Sequence, residues 1–261
     1  IAAKLLGIPV FTHECDFTLG LANRINFKSA KTMFVSYEET KNKINIDDQK
    51  RVVVTGNPIR PVFYNTNSSA GLEYLNIKKK EKKPILLVLG GSSGAKQINK
   101  LIIENLEWLT EKFIVVHQTG LINAEENVEQ DLCQKYQGSY KPFKFIHKEM
   151  PDVLSCADII LSRAGANSIW EAAVLLKPMI LIPLCGSGTR GDQVDNARFF
   201  EDKKAAKVLI DEDVTNDNLK SCLSSFLDIN ERETYKKALK DLIGVEKPAE
   251  KIANIIYNQI D

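Results

Sequence analysis

The sequence predicts an α/β fold built on parallel, doubly wound sheets, and three observations predict it. Short β-branched runs alternate with amphipathic helical patterns through almost the whole chain, the arrangement of repeated strand–helix units. The strand runs, such as Ile85-Leu86-Leu87-Val88-Leu89, are apolar throughout, as expected when helices cover both faces of a sheet. Small-residue or glycine-rich turns close several of these runs and open the next helix.

Strands are expected at 10–13, 32–35, 52–55, 85–89, 113–117, 144–147, 159–162, 179–183 and 207–210. Helices are expected at 95–109, 153–156, 167–176, 193–202, 216–227 and 231–242. The last, 248–260, sets Ile252, Ile255, Ile256 and Ile260 on one face. Between Pro58 and Pro84 the chain turns polar, and the lysine-rich run 78–83 reads as a solvated loop before a buried strand. Gly56-Asn57-Pro58 marks a boundary between two domains. With 261 residues, 44% of them hydrophobic, each domain has enough chain for its own core.

Composition removes several classes of function. Lys+Arg total 35 against 34 Asp+Glu, so the chain is neither a strongly basic nucleic-acid binder nor a charged disordered tail. The longest apolar runs, 85–89 and 172–176, fall far short of the roughly 20 residues that cross a bilayer. Five scattered cysteines without a CxxC read as reduced thiols of a cytosolic protein. With three separated histidines, no metal site is expected.

Three loops carry the chemistry. Gly90-Gly91-Ser92-Ser93-Gly94-Ala95 follows one strand and opens a helix, so its N–H groups and the hydroxyls of Ser92 and Ser93 suit an anion. It lacks the lysine of a P-loop and the GxGxxG spacing, and a plain tight turn explains it equally well. Ser162-Arg163-Ala164-Gly165-Ala166-Asn167-Ser168 leads into a helix capped by Asn167 or Ser168 and carrying Glu171. Glu171 either closes a capping box or accepts two vicinal hydroxyls, as on a ribose, at the carboxyl end of the sheet. Gly186-Ser187-Gly188-Thr189-Arg190-Gly191 precedes Asp192 and Gln193, which are sugar-competent groups or ordinary helix-start residues. Three such loops at one sheet edge fit a nucleotide sugar. Neither a nucleophile triad nor a hydride-cofactor motif accompanies them, and no cofactor is expected.

In order along the chain, these segments resemble the MurG family, the UDP-GlcNAc:undecaprenyl-diphosphate-MurNAc-pentapeptide N-acetylglucosaminyltransferases of peptidoglycan synthesis. The matching stretches are His13-Glu14 with 18–23, Thr55-Gly56-Asn57-Pro58-Ile59-Arg60, 90–95, His117-Gln118-Thr119-Gly120, 163–171 and 190–197. The resemblance implies two Rossmann-like domains around a cleft, the GT-B arrangement. Residues 1–60 would be the second half of the acceptor domain, 61–247 the UDP-GlcNAc domain, and 248–261 a helix packing back on the first. It further implies that Arg60, Ser92 and Ser93 meet the donor and that Ile146 reads the uracil through its main chain. Glu171 would take the ribose hydroxyls, and Asp192 and Gln193 the GlcNAc hydroxyls. Asp16 stands beside the reacting centre. Transfer is inverting and without a covalent enzyme intermediate, so a general base is needed, with Asp16 and Glu14 as candidates and His13 either a base or structural. The implied partners are UDP-GlcNAc, an undecaprenyl-linked acceptor and the cytoplasmic face of the bacterial membrane, approached as a peripheral protein.

Two departures from the family stand out. Leu19 replaces a common proline. A Gly-rich, His-containing loop that opens the family has no counterpart, so on the order of a hundred residues are expected before Ile1. On that expectation the first domain is incomplete, and the chain binds donor weakly and transfers no sugar alone. Competing readings are a UDP-sugar-binding module that needs a partner chain, a related glycolipid transferase, and a UDP-GlcNAc 2-epimerase. Lys4, Arg24, Lys28 and Lys31 face either anionic lipid or plain solvent.

Overall fold

The computed structural model describes residues 2–78, 82–90, 95–120, 126–186, 189–244 and 246–260, with the backbone alone at Lys4 and 126–130. Its strands form two parallel sheets. β1 (Phe11–Glu14), β2 (Thr32–Val35) and β3 (Val52–Val54) lie in the order β1-β2-β3. The larger sheet contains β4 (Ile85–Leu89), β5 (Ile114–Gln118), β6 (Tyr140–Phe143), β7 (Ile159–Ser162), β8 (Met179–Leu181) and β9 (Ala206–Val208). Its order is β6-β5-β4-β7-β8-β9. The chain winds outward from β4 in one direction and from β7 in the other. The crevice beyond the carboxyl ends of β4 and β7 is therefore the topological switch point, where open α/β sheets take their ligands.

Burial follows the pleat. Ile85 and Leu87 enter a core cluster on one face, with Trp170, Phe199 and Phe200, while Leu86 and Val88 enter another with Ile98, Ile102 and Leu161. Helices cover both faces, which is why these strands show no polar alternation. The small sheet has its own cluster of Phe27, Ala30, Met33, Val35 and Val52. The helix Pro248–Ile260 lies against that sheet: Thr32 Oγ1 donates to Gln259 Oε1 (2.8 Å) and Lys31 Nζ to the Gln259 carbonyl (2.5 Å).

Three expectations need correction. The strand expected at 144–147 is β6, four residues earlier; as an edge strand it tolerates Pro142, and 144–147 is a loop. The helix expected at 95–109 is two, Lys96–Glu104 and Leu106–Lys112. Asn105 breaks it, turning its amide to the Leu101 carbonyl and to Asn216 Oδ1, both at 2.7 Å. Short helices at Leu21–Phe27, Glu38–Asn42, Ile46–Gln49 and Ser68–Tyr74, and the longer Glu126–Lys135, were not expected. Ser68–Tyr74 packs against Met150–Cys156 so closely that a Cβ on Gly71 would lie 2.2 Å from the Asp152 carbonyl oxygen. Among the described residues no helix is long and apolar enough to cross a membrane.

Candidate functional site

A cleft of about 940 Å³ opens at the switch point. Leu89 and Gly90 at the end of β4, Gln118 at the end of β5, Ser162 and Arg163 at the end of β7, and Leu184 after β8 line it. Arg60, the loop 145–148, Glu171 and Gln193 line the remainder. Two helices begin here, Lys96–Glu104 and Ala166–Val174, and among the described residues neither N-cap, Ala95 or Gly165, makes a side-chain cap. Gly165, the residue before the second helix, and Lys96 both line the cleft. Uncapped N–H groups at two helix starts, beside Lys96, Arg163 and Arg60, make the cleft a place for anions. Ser92 and Ser93 lie outside the described residues.

The helix starts at Ala166, not at Asn167 or Ser168, so Glu171 sits well inside it and makes no capping box. Glu171 Oε1 instead accepts from Arg60 Nε at 2.9 Å, which joins two residues named from the sequence. Asn167 Oδ1 accepts from Asn57 Nδ2 (3.1 Å), tying this helix to the chain after β3. Ile146 is buried, and its N–H is donated to Gln118 Oε1 at 2.9 Å. Gln193 Oε1 accepts the Leu184 N–H (3.0 Å), while Asp192 lies outside the lining of the cleft.

Residues 85–254 match the glycosyltransferase family 28 C-terminal domain. The chain is 44% identical, over 98% of its length and 67% of the relative's, to the UDP-N-acetylglucosamine--N-acetylmuramyl-(pentapeptide) pyrophosphoryl-undecaprenol N-acetylglucosamine transferase of Treponema denticola. The chain belongs to glycosyltransferase family 28, among its MurG transferases. A Bacillus cereus transferase of the same description is 39% identical over 94% of this chain and 66% of its own. The crystal structure of Acinetobacter baumannii MurG aligns with a TM-score of 0.72 at 25% identity, covering 98% of this chain and 68% of that one. A Neisseria meningitidis UDP-GlcNAc 2-epimerase shares the fold at 19% identity and a TM-score of 0.66, covering 98% of this chain and 71% of that one. The chain spans about two thirds of the length of these relatives.

In this family 28 chain the segment after β1 is tied to Arg190 and to the helix Asp192–Asp202 that follows β8. Glu14 is 3% exposed, and its carboxylate accepts from the Asp16 N–H (3.1 Å), the Gly20 N–H (2.8 Å) and Asn23 Nδ2 (3.0 Å). Asp16 accepts from Asn196 Nδ2 (3.0 Å) and Arg190 Nη2 (3.1 Å), and Arg190 also holds Asp192 (2.9 Å). The Phe17 N–H donates to Asn196 Oδ1 at 2.8 Å, and Thr18 Oγ1 bonds Asp195. Fully buried Asn196 thus grips this loop by both ends of its amide. His13 Nε2 meets the Gly56 carbonyl at 3.3 Å, and burial holds its pKa below the ordinary imidazole range.

His117 has a structural place. Its nitrogens meet the Tyr140 hydroxyl and Asn99 Oδ1, each at 3.1 Å, and burial pushes its pKa down to about 3, so it is neutral. Sequence reasoning gave no individual role to Gln118, Arg163 or Asn196. Arg163 Nη1 donates to Gln97 Oε1 and to the Ile182 and Pro183 carbonyls, knitting together the loops after β7 and β8. Each of the three lay in a motif, but its partner is remote in sequence and carries no pattern.

Proposed function

We propose that this chain carries the donor site of a transferase moving GlcNAc from UDP-GlcNAc to undecaprenyl-diphosphate-MurNAc-pentapeptide, the lipid I to lipid II step of peptidoglycan synthesis. The observation that carries the reading is the cleft at the switch point, with two uncapped helix starts and the Arg60–Glu171 pair on its wall. The diphosphate takes the helix N–H groups, with Ser92 and Ser93 beside it. Glu171 accepts the ribose hydroxyls, the loop around Ile146 reads the base, and Gln193 with Asp192 holds the GlcNAc. Residues 1–60 with the helix at 248–261 form the acceptor side, and 61–247 the donor side. The protein works at the cytoplasmic membrane surface as a peripheral protein and needs no resident metal or cofactor.

Of the two base candidates, Asp16 suits the role better. Its side chain is 15% exposed and its partners, Asn196 and Arg190, are side chains, whereas Glu14 is 3% exposed and accepts from three N–H groups of its own segment. An inverting transfer requires a general base that removes the acceptor hydroxyl's proton as the sugar arrives.

Glu171→Gln tests the donor site. Losing a charge-assisted hydrogen bond costs about 1.5–3 kcal/mol, so UDP-GlcNAc affinity falls by roughly ten-fold to over a hundred-fold in calorimetry. The melting temperature stays near that of the parent chain. Unchanged affinity would remove Glu171 from the site.

A further inference from the structure

Arg190 stands in the loop after β8, and its guanidinium joins two parts of the chain that are remote in sequence. Gly191, at φ +76°, takes the left-handed conformation that glycine favours and separates Arg190 from the helix Asp192–Asp202. Arg190 Nη2 donates to Asp192 Oδ2 at 2.9 Å and to Asp16 Oδ2, on the segment after β1, at 3.1 Å. Its Nη1 lies against the bare Cα of Gly20, where a Cβ would stand 2.5 Å from that nitrogen. The seat is a slot that exists because residue 20 has no side chain. Asp16 and Asp192 are 15% and 25% exposed, and among the described residues Arg190 is the ion-pair partner of both. Two carboxylates converging on one point repel each other, and the cation between them offsets that repulsion. Asp192 Oδ1 has no hydrogen bond to a described residue and is left for an incoming hydroxyl.

We infer that Arg190 is a positioning residue for the sugar of the donor, holding the Asp16 and Asp192 carboxylates together where the GlcNAc hydroxyls arrive. The inference rests on the UDP-GlcNAc reading of the cleft and deepens it at the sugar end. Arg190 acts through the two carboxylates, one on the acceptor side and one on the donor side. A sugar hydroxyl donates to a carboxylate oxygen, and the bond adds most to affinity when that oxygen is already in place. Without the guanidinium the like charges move apart, and the sugar has to reorder them as it binds. The nucleoside diphosphate part of the ligand does not meet this bridge, so its affinity is independent of Arg190.

Calorimetric titration of UDP and UDP-GlcNAc into the parent chain and into Arg190→Ala is the measurement, since the two ligands differ by the sugar alone. In the variant UDP-GlcNAc binding is expected to weaken by about ten-fold, while UDP binding stays within about two-fold. Gly20→Ala keeps the arginine and its charge but fills the slot, and residue 20, at φ −71°, accommodates alanine. It should show the same selective loss, smaller in size, because the guanidinium can shift. Arg190→Lys keeps a cation and should recover part of the loss. Equal weakening of UDP and UDP-GlcNAc in Arg190→Ala overturns the inference, because Arg190 would then serve the diphosphate or the fold. Unchanged UDP-GlcNAc binding in that variant also overturns it, while leaving the UDP-GlcNAc reading in place. A parent chain that does not bind UDP-GlcNAc overturns both. Arg190 is 58% exposed, so Arg190→Ala should melt near the parent chain. If it melts far lower, Gly20→Ala decides by the same comparison of ligands.

Discussion

Glu14 and Glu171 both sit at the carboxyl-end side of a parallel sheet, Glu14 closing β1 and Glu171 in the helix after β7. Glu14 is sealed in, with three N–H donors on its two oxygens. Glu171 has a single hydrogen bond among the described residues, from Arg60, whose side chain is 60% exposed. The same chemical group serves the loop in one place and remains available in the other. A buried carboxylate saturated by two backbone N–H groups and a side-chain amide is part of the fold. One that lines a cleft and shares a single oxygen with a solvent-exposed arginine can exchange that partner for a ligand.

The largest effect should come from breaking the saturated side. Glu14→Ala leaves the Asp16 and Gly20 N–H groups and the Asn23 amide without their acceptor. At about 1–3 kcal/mol for each buried group left unpaired, less what entering water recovers, the cost is about 3–5 kcal/mol in urea unfolding. A loss under about 1 kcal/mol would reverse the comparison and make the Glu14 carboxylate an available group and not a structural one.

The next effect concerns a second saturated site, His117. Its folded pKa of about 3 lies below the unfolded value near 6.5, and His13 is lowered in the same direction. Neutral imidazole therefore contributes its full stability above pH 6.5, and the contribution is lost as pH falls towards the folded value. Between pH 7 and pH 5 His117 alone should cost about 2 kcal/mol. His117→Gln should have a flatter dependence of the urea midpoint over that window. A slope equal to the parent's would show that other groups govern the acid response.

These sites also mark how far the sequence could be read. The strands of the larger sheet were legible because burial on both faces leaves unbroken apolar runs such as 85–89. β6 was not, since an edge strand reading Tyr140-Lys141-Pro142-Phe143 has one polar position and a proline. The helix 126–135 is too polar to show a stripe. Glu171 could be named from a helix start and Arg60 from the family resemblance, one at a time, but not as a pair 111 positions apart. The grip of Asn196 on Asp16 and Phe17 spans about 180 positions, and no local spacing encodes it. Local chemistry is written locally, whereas the partner that decides whether a carboxylate is structural or available comes only with the fold.

The smallest effect is the sharpest probe of the open side. Arg60 and Glu171 form an ion pair at 2.9 Å, but the arginine is mostly in solvent and also covers the Phe63 ring at 4.8 Å. Exposed pairs of this kind are worth about 0.2–1 kcal/mol, because water screens the attraction and holding two long side chains costs entropy. A double-mutant cycle on Arg60→Ala and Glu171→Gln, read as unfolding free energy without ligand, should therefore give a coupling below about 1 kcal/mol. Read as UDP-GlcNAc affinity, the same cycle should depart from additivity, since Arg60 can turn to the diphosphate only when Glu171 releases it to a ribose. Strong coupling in unfolding, with additive effects on binding, would move Glu171 into the class of Glu14. It would leave the cleft without its ribose acceptor.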